Sequence, residues 1–319
     1  MQNASGPETR YLGTIVWLGP LALQRPQVQL HIAVFLFGFT AILGDLISLG
    51  GVVLVAYRVG LAALGFGVWL RAQRQSPKLP VRDVLTIVGI GLVLVVHWIT
   101  FFDAIKRVGP SVTLVCLASA TFITALVEPL ITGRRFVRRE LGLGVVVIVG
   151  IYLIFRFTPE ANVGILIALL SAALSALVGI LNKTIVSRYP GLVINFWQMS
   201  GSFVLLVGYL AVTAWGKPAA GLLPQPLDWL WLALLAFLCT NYAYQLAIRA
   251  LRHLSAFQMI LAINLEPLYG IVLATLLLGE NRDLSWGLVL GMLLVLGAVF
   301  FNAALTAWQA WRLRRRLGT

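Results

Sequence analysis

Ten apolar segments run along this chain, and Lys and Arg concentrate in alternate gaps between them. Each segment approaches the ~20 residues that a helix needs to cross a ~30 Å hydrocarbon core. We place the segments at residues 29–46, 51–70, 83–105, 110–132, 140–156, 163–182, 193–215, 228–248, 254–278 and 285–308. Of the 24 Lys and Arg residues, 18 lie in the gaps and tails of one side, five lie in the other gaps or at their edge, and only Arg58 lies in the interior of a segment. Because basic residues collect on the cytoplasmic side, the pattern predicts an all-α, multi-pass protein of the bacterial inner membrane, with ten helices and both termini in the cytoplasm.

The composition excludes a soluble globular protein. The chain is 60% hydrophobic and 11% charged, and too few charges remain to cover the surface of a soluble protein. Ten helices use about 200 of the 319 residues, which leaves no room for a separate soluble domain. The net charge of +13 does not indicate nucleic-acid binding, because the basic residues lie at segment ends. There they face membrane lipids with anionic headgroups.

The sequence carries no motif for catalysis or metal binding. It has no HExxH and no GxxxxGK[ST], so neither a zinc protease nor direct coupling to ATP is indicated. Its two cysteines, Cys116 and Cys239, both fall within apolar segments, where a thiol behaves as a small hydrophobic group. We therefore predict a protein that is not an enzyme and has no cofactor, metal or disulfide.

The number of segments predicts an inverted repeat. Each half has five segments, so two tandem copies must enter the membrane in opposite orientations. At an offset of 146 residues, 104–108 aligns with 250–254, and a charged turn that begins with Gly133 aligns with one that begins with Gly279. We predict repeats at 29–156 and 163–308. An interfacial segment at 1–28, read in preference to a cleaved signal peptide, and a basic cytoplasmic tail at 309–319 complete the chain.

These motifs resemble the EamA-type proteins of the drug/metabolite transporter superfamily. The second half matches their C-terminal repeat at 253–257, 263–267, 278–281 and 287–297, and the first half is similar to their N-terminal repeat at 97–106 and 128–130. The resemblance implies two inverted five-helix repeats, with helices 1–4 and 6–9 around a central cavity and helices 5 and 10 at the periphery. It also implies a secondary transporter, and bacterial relatives export amino acids and similar small metabolites.

The two halves differ in the residues that the repeat would bring to the cavity. Glu266-Pro267 aligns with Ala120-Thr121, whereas the first half places Glu128-Pro129 two turns later. Pro267 removes a helical hydrogen bond, and a carboxyl at membrane depth must face protein or water. Glu266 and Asn264 therefore bind a substrate amine or a proton, or they satisfy backbone groups at a kink. For Glu128 we expect an ion pair at the membrane boundary with the basic residues that follow it.

Intramembrane polar and aromatic residues supply the remaining candidates. His97 and Phe101 share a helix face with Trp98 beside it, and His97 either couples proton movement or donates one hydrogen bond to a neighbouring helix. Arg58 either contacts an anion or plays a structural role with Asp45 as its partner. The Gly287–Gly291 motif forms a dimer face or packs tightly within the bundle. The predicted substrate-binding residues are His97, Trp98, Phe101, Trp197, Asn241, Tyr244, Gln245, Asn264, Glu266 and Tyr269.

We expect a monomer or homodimer that exports amino acids or related compounds by alternating access. Uptake or facilitated diffusion of a nucleoside, sugar or polyamine is the alternative. An intramembrane enzyme is a distant third, because no nucleophile–base set is visible.

Overall fold

The structure is a computed structural model that describes residues 26–132, 138–157, 162–213, 221–253, 262–263, 265–278 and 286–317. Regular secondary structure in these ranges is entirely helical. The helices are α1 Pro26–Leu46, α2 Gly51–Ala72, α3 Val81–Ala118, α4 Ala120–Thr132, α5 Arg138–Phe157, α6 Asn162–Ile185, α7 Gly191–Thr213, α8 Asp228–Ala233, a π-helix Leu234–Tyr242, α9 Ala243–His253, α10 Glu266–Leu278 and α11 Trp286–Leu317.

Within the described ranges, six helical stretches are long and apolar enough to cross a membrane. One of them, Val81–Ile131, has 51 residues and contains the third and fourth predicted segments. Shorter apolar helices cover Gly142–Ile154, Glu266–Leu278 and Val289–Ala298. The count of ten spans therefore stays a prediction. The last helix continues to Leu317, so much of the predicted cytoplasmic tail extends it.

Gly109 divides α3 into two arms that run in opposite directions. Its φ of 79° lies in a region that L side chains rarely adopt, and Pro110 then suits the first turn of the second arm. Val108 packs beside Gly164 near the start of α6, whereas Glu128 reaches Lys183 near its end. The chain therefore turns back at the position where the sequence predicts a loop between two segments.

The main packing contacts between helices of the first half and helices of the second have counterparts in which the two halves trade roles. In the numbering of the ten predicted segments, segments 3 and 4 of the first half both pack on segment 6, the first of the second half. In the same way, segments 8 and 9 of the second half both pack on segment 1, the first of the first half. The second packs on the seventh, and the fifth on the tenth. The two halves therefore meet along all five of their helices, and their first four helices leave a space between the halves.

Glycines allow α5 and α11 to approach closely. A Cβ at Gly291 would lie 2.7 Å from the carbonyl oxygen of Gly150, and a Cβ at Gly150 would lie 2.9 Å from the carbonyl oxygen of Gly291. The sequence left two roles open for the Gly287–Gly291 motif, a dimer face or tight packing within the bundle. At Gly291 the structure shows the tight packing.

Candidate functional site

A cavity of about 260 Å3 lies between the halves and takes side chains from both. Its deep wall is formed by Arg58, His97, Trp98 and Phe101, each less than a tenth exposed. Along α6 the wall continues through Ser175 and Asn182 to the exposed Gly179 and Lys183. The remaining residues that matter for its chemistry are Thr40, Thr121, Thr124, Glu128, Tyr244 and Glu266. The cavity therefore reaches the surface at the end of the bundle where α6 ends.

Five predicted substrate-binding residues line this cavity together. They are His97, Trp98, Phe101, Tyr244 and Glu266. Trp98 and Tyr244 meet edge to face with ring centroids 5.7 Å apart, which joins the third helix of each half. Asn264 lies outside the described residues.

Four predicted residues lie away from the cavity wall and contact neighbouring helices or loops instead. Trp197 donates its Nε1–H to the carbonyl of Pro77 at 2.8 Å, and Asn241 donates to the carbonyl of Ala62 at 3.0 Å. Gln245 accepts a hydrogen bond from Asn195 at 3.3 Å. Tyr269 packs edge to face on Phe35, with centroids 5.5 Å apart. A polar residue on an apolar helix can face any of several neighbours, so its presence in a span does not assign it to the cavity.

His97 binds α6 as well as facing the cavity. Its Nδ1 lies 2.9 Å from the carbonyl oxygen of Ser171, and the Ser171 hydroxyl donates to the carbonyl of His97 at 3.0 Å. The Ser171 hydroxyl also lies 2.8 Å from Nδ1, and because a carbonyl only accepts, the contact with the Ser171 carbonyl assigns a hydrogen to Nδ1. The structure therefore contains the interhelical hydrogen bond that was one of the two roles expected of His97.

Arg58 is fixed by a hydroxyl and an aromatic ring. Its Nε donates to Thr240 Oγ1 at 2.9 Å, and its guanidinium carbon lies 3.7 Å from the centroid of Trp98. The π-helix positions this acceptor, because Thr240 in turn donates to the carbonyl of Leu235, five residues earlier, at 2.8 Å. Among the described residues no ion pair joins Arg58 to Asp45, the partner considered from the sequence.

Glu266 begins α10 at the cavity wall, half-buried, with Pro267 in the first turn. A missing N–H is tolerated at this position, because the first N–H groups of a helix have no partner within it. The sequence placed this proline inside a continuous helix, and the structure instead has a helix start there. The effect is to place the carboxyl at a helix N-terminus, where the helix dipole favours negative charge.

Glu128 closes one side of the cavity mouth with Lys183. The ion pair measures 3.6 Å and joins α4 of the first half to α6 of the second. The side chain of Lys183 is 49% exposed, so water screens the pair. The basic residues that the sequence suggested as partners, Arg134 and Arg135, lie outside the described residues.

At the opposite end of the bundle a buried carboxylate joins the halves. Asp228, 3% exposed, accepts from the backbone N–H of Ser48 at 2.9 Å, from its hydroxyl at 2.5 Å and from the backbone N–H of Gln225 at 2.9 Å. Lys106 donates to the carbonyls of Asp45 at 2.7 Å and Ile47 at 2.6 Å, which holds the segment that presents Ser48.

Sequence reasoning missed Thr40, Ser175, Asn182 and Lys183, which all line the cavity. Small hydroxyl residues carry no signal within an apolar helix, and Asn182-Lys183 looks like an ordinary polar helix end. Arg58 did carry a signal, since it is the one basic residue within a predicted segment.

A family model and a curated relative both indicate a transporter family, and a solved structure shares the fold. The model of the EamA-like transporter family matches residues 27–156 and again 162–304. The chain is similar to the uncharacterized transporter YxxF of Bacillus subtilis (strain 168), with 27% identity over 270 residues that cover 81% of this chain and 83% of that protein. A protein crystal structure shares the fold, with a TM-score of 0.64 and 18% identity over 90% of this chain and 98% of that one.

Proposed function

This chain belongs to the EamA-like transporter family, within the drug/metabolite transporter superfamily, and is a multi-pass membrane protein. From that premise we propose that it is a secondary transporter that exports amino acids or related small metabolites across the bacterial inner membrane by alternating access. The observation that supports this proposal best is a cavity between the two halves that reaches the surface at one end of the bundle.

The proposed topology gives this cavity a direction. With both termini in the cytoplasm and ten spans, α6 ends on the cytoplasmic side, and the two repeats are inverted. The cavity then opens to the cytoplasm, which is the state in which an exporter takes up its cargo. Rocking of one half against the other to open the outer end would break the Ser48–Asp228 contact, whereas the Glu128–Lys183 pair is already formed while the cavity is open.

The cavity wall suits a substrate with an apolar part and a cationic group. Trp98, Phe101 and Tyr244 offer ring faces and edges to the apolar part. The carboxyl of Glu266 provides the negative charge that an ammonium group needs. In this proposal the helix start at Glu266 positions the carboxyl while both halves contribute the rings.

Counterflow in proteoliposomes tests the transport function. Each vesicle preparation is loaded with one unlabelled solute, and a labelled trace of the same solute is added outside. We expect the label to accumulate inside when the solute is an amino acid. Vesicles without protein and vesicles with Asp103→Asn are the controls. Asp103 is a suitable control because its pair with Arg107 at 2.9 Å is exposed and outside the cavity. Accumulation only of nucleosides, sugars or polyamines would favour the alternative of a carrier for another solute.

Replacement of Glu266 by Gln tests the carboxylate. We expect exchange of an amino acid to fall by on the order of 10- to 100-fold, because a charge-assisted hydrogen bond contributes about 1.5–3 kcal/mol. Wild-type exchange rates for every solute would remove Glu266 from the binding site.

A further inference from the structure

Within the part of the chain that the structure describes, two buried polar atoms of the cavity wall have no nitrogen or oxygen hydrogen-bond partner. They are Arg58 Nη1 and Thr40 Oγ1. Six other buried side-chain atoms of described residues also lack a partner, but none belongs to a residue that lines the cavity. Buried polar atoms are almost always paired, so these two are available to bind a group that enters the cavity.

The guanidinium of Arg58 is held in place by its contacts, but its Nη1 has no hydrogen-bond acceptor among the described residues. The Thr240 hydrogen bond uses Nε and Trp98 covers one face of the group, while Arg58 as a whole is only 1% exposed. A cation at this depth is costly without a counter-ion. An anion in the cavity would supply the missing charge and accept from Nη1.

Thr40 offers a second donor on the same wall. It is 5% exposed, and its hydroxyl is shared with the thiol of Cys239, a weak hydrogen-bonding group that leaves the hydroxyl free to bind a better acceptor. A carboxylate has two oxygens and matches one guanidinium N–H together with one hydroxyl. The donor set is small for phosphate, which has three terminal oxygens.

Glu266 limits the charge of the bound molecule. Glu266 and Arg58 line the same cavity, and no ion pair joins them among the described residues. The cavity therefore presents a positive and a negative group that do not neutralise each other directly. A molecule with two negative charges would be repelled by Glu266, whereas a zwitterion would satisfy both groups.

We propose that Arg58 and Thr40 form the carboxylate-binding position of this cavity, and that the substrate is a zwitterion whose ammonium group faces Glu266. The assignment rests on the proposed transport function and specifies the substrate class. It also gives Arg58 the anion-contact role that the sequence left open.

The first test is solute selection by the wild-type protein in proteoliposomes. The panel is the common amino acids, their carboxamides, the corresponding decarboxylated amines, uridine, glucose and inorganic phosphate. We expect amino acids to exchange, with each carboxamide at least 10-fold weaker as a competitor. Exchange of nothing would overturn the transport function itself. Preferred exchange of amines, phosphate or neutral solutes would overturn the carboxylate position and leave transport standing.

The second test compares variants by their preference for the amino acid over its own carboxamide. This ratio is measured within one preparation, so it does not depend on the folded amount. Arg58→Met is expected to reduce the preference by about 10- to 100-fold, Arg58→Lys by less, and Thr40→Val by about 3- to 10-fold. The control Arg107→Met, on an exposed arginine outside the cavity, should keep it. Equal losses for amino acid and carboxamide in Arg58→Met would show a structural role and overturn the proposal.

Discussion

Two polar contacts join the halves of this protein at opposite ends, and they differ in burial and in geometry. At the closed end Asp228 is 3% exposed and accepts three hydrogen bonds, two of them from Ser48 across the halves. At the cavity mouth Glu128 and Lys183 approach to 3.6 Å, and the lysine is 49% exposed. A buried carboxylate with three donors is worth several times a screened ion pair. Of these two contacts, the one at the closed end is therefore the stronger, and we expect it to contribute more to the closure of its end.

The largest expected effect is at the closed end. Asp228→Ala removes the acceptor for both the N–H and the hydroxyl of Ser48 across the halves, and we expect closure to weaken by about 3 kcal/mol. This shifts the population by on the order of 100-fold. The measurement is the rate at which a membrane-impermeant thiol reagent, added outside intact cells, labels Ser175→Cys in a background without native cysteines. An unchanged rate in Asp228→Ala would mean that this contact does not hold the end closed.

A smaller effect is expected at Lys106, because it acts on closure through the segment that carries Ser48. Lys106→Met removes two hydrogen bonds to the carbonyls of Asp45 and Ile47 but leaves the Asp228 carboxylate in place. We expect labelling from outside to rise by roughly 10-fold, about 1.4 kcal/mol. A rise as large as that of Asp228→Ala would show that the lysine, and not the carboxylate, dominates this end.

The smallest effect is expected at the cavity mouth. Lys183→Met removes a half-exposed pair worth less than about 1 kcal/mol, so labelling from the cytoplasmic side should change by less than about fivefold. Inside-out vesicles give this rate directly, and high salt should reproduce the variant's behaviour in the wild type. A change beyond 10-fold would contradict the contrast between the two ends.

Much of the fold follows from the apolar pattern. The predicted boundaries of 51–70, 163–182 and 193–215 fall within a few residues of α2, α6 and α7. The Gly109-Pro110 pair marks the turn inside α3. Only glycine readily adopts the positive φ that residue 109 has there. The π-helix at Leu234–Tyr242 had no such signal, since its mostly apolar residues fit an α-helix equally well.

Less of the site could be predicted, because a side chain's neighbours depend on helix rotation and packing. His97, Trp98 and Glu266 reach the cavity, but Trp197 and Asn241 turn to backbone carbonyls in neighbouring segments. The partner considered for Arg58 was Asp45, near in sequence, whereas its contacts come from Thr240 and Trp98, both distant. Sequence distance is a poor guide where helices of two halves interleave.

The central claim is that the cavity binds the solute and opens to the cytoplasm. It is tested most directly by measuring from which membrane face the cavity can be labelled, and whether a bound solute slows that labelling. In the cysteine-free background, Ser175→Cys is labelled in inside-out and in right-side-out vesicles, with and without an amino acid that the protein exchanges. The account predicts fast labelling from the cytoplasmic face, slow labelling from the outer face, and slowing of the fast rate by the amino acid but not by its carboxamide. Fast labelling from the outer face, or no protection by any exchanged solute, would contradict it.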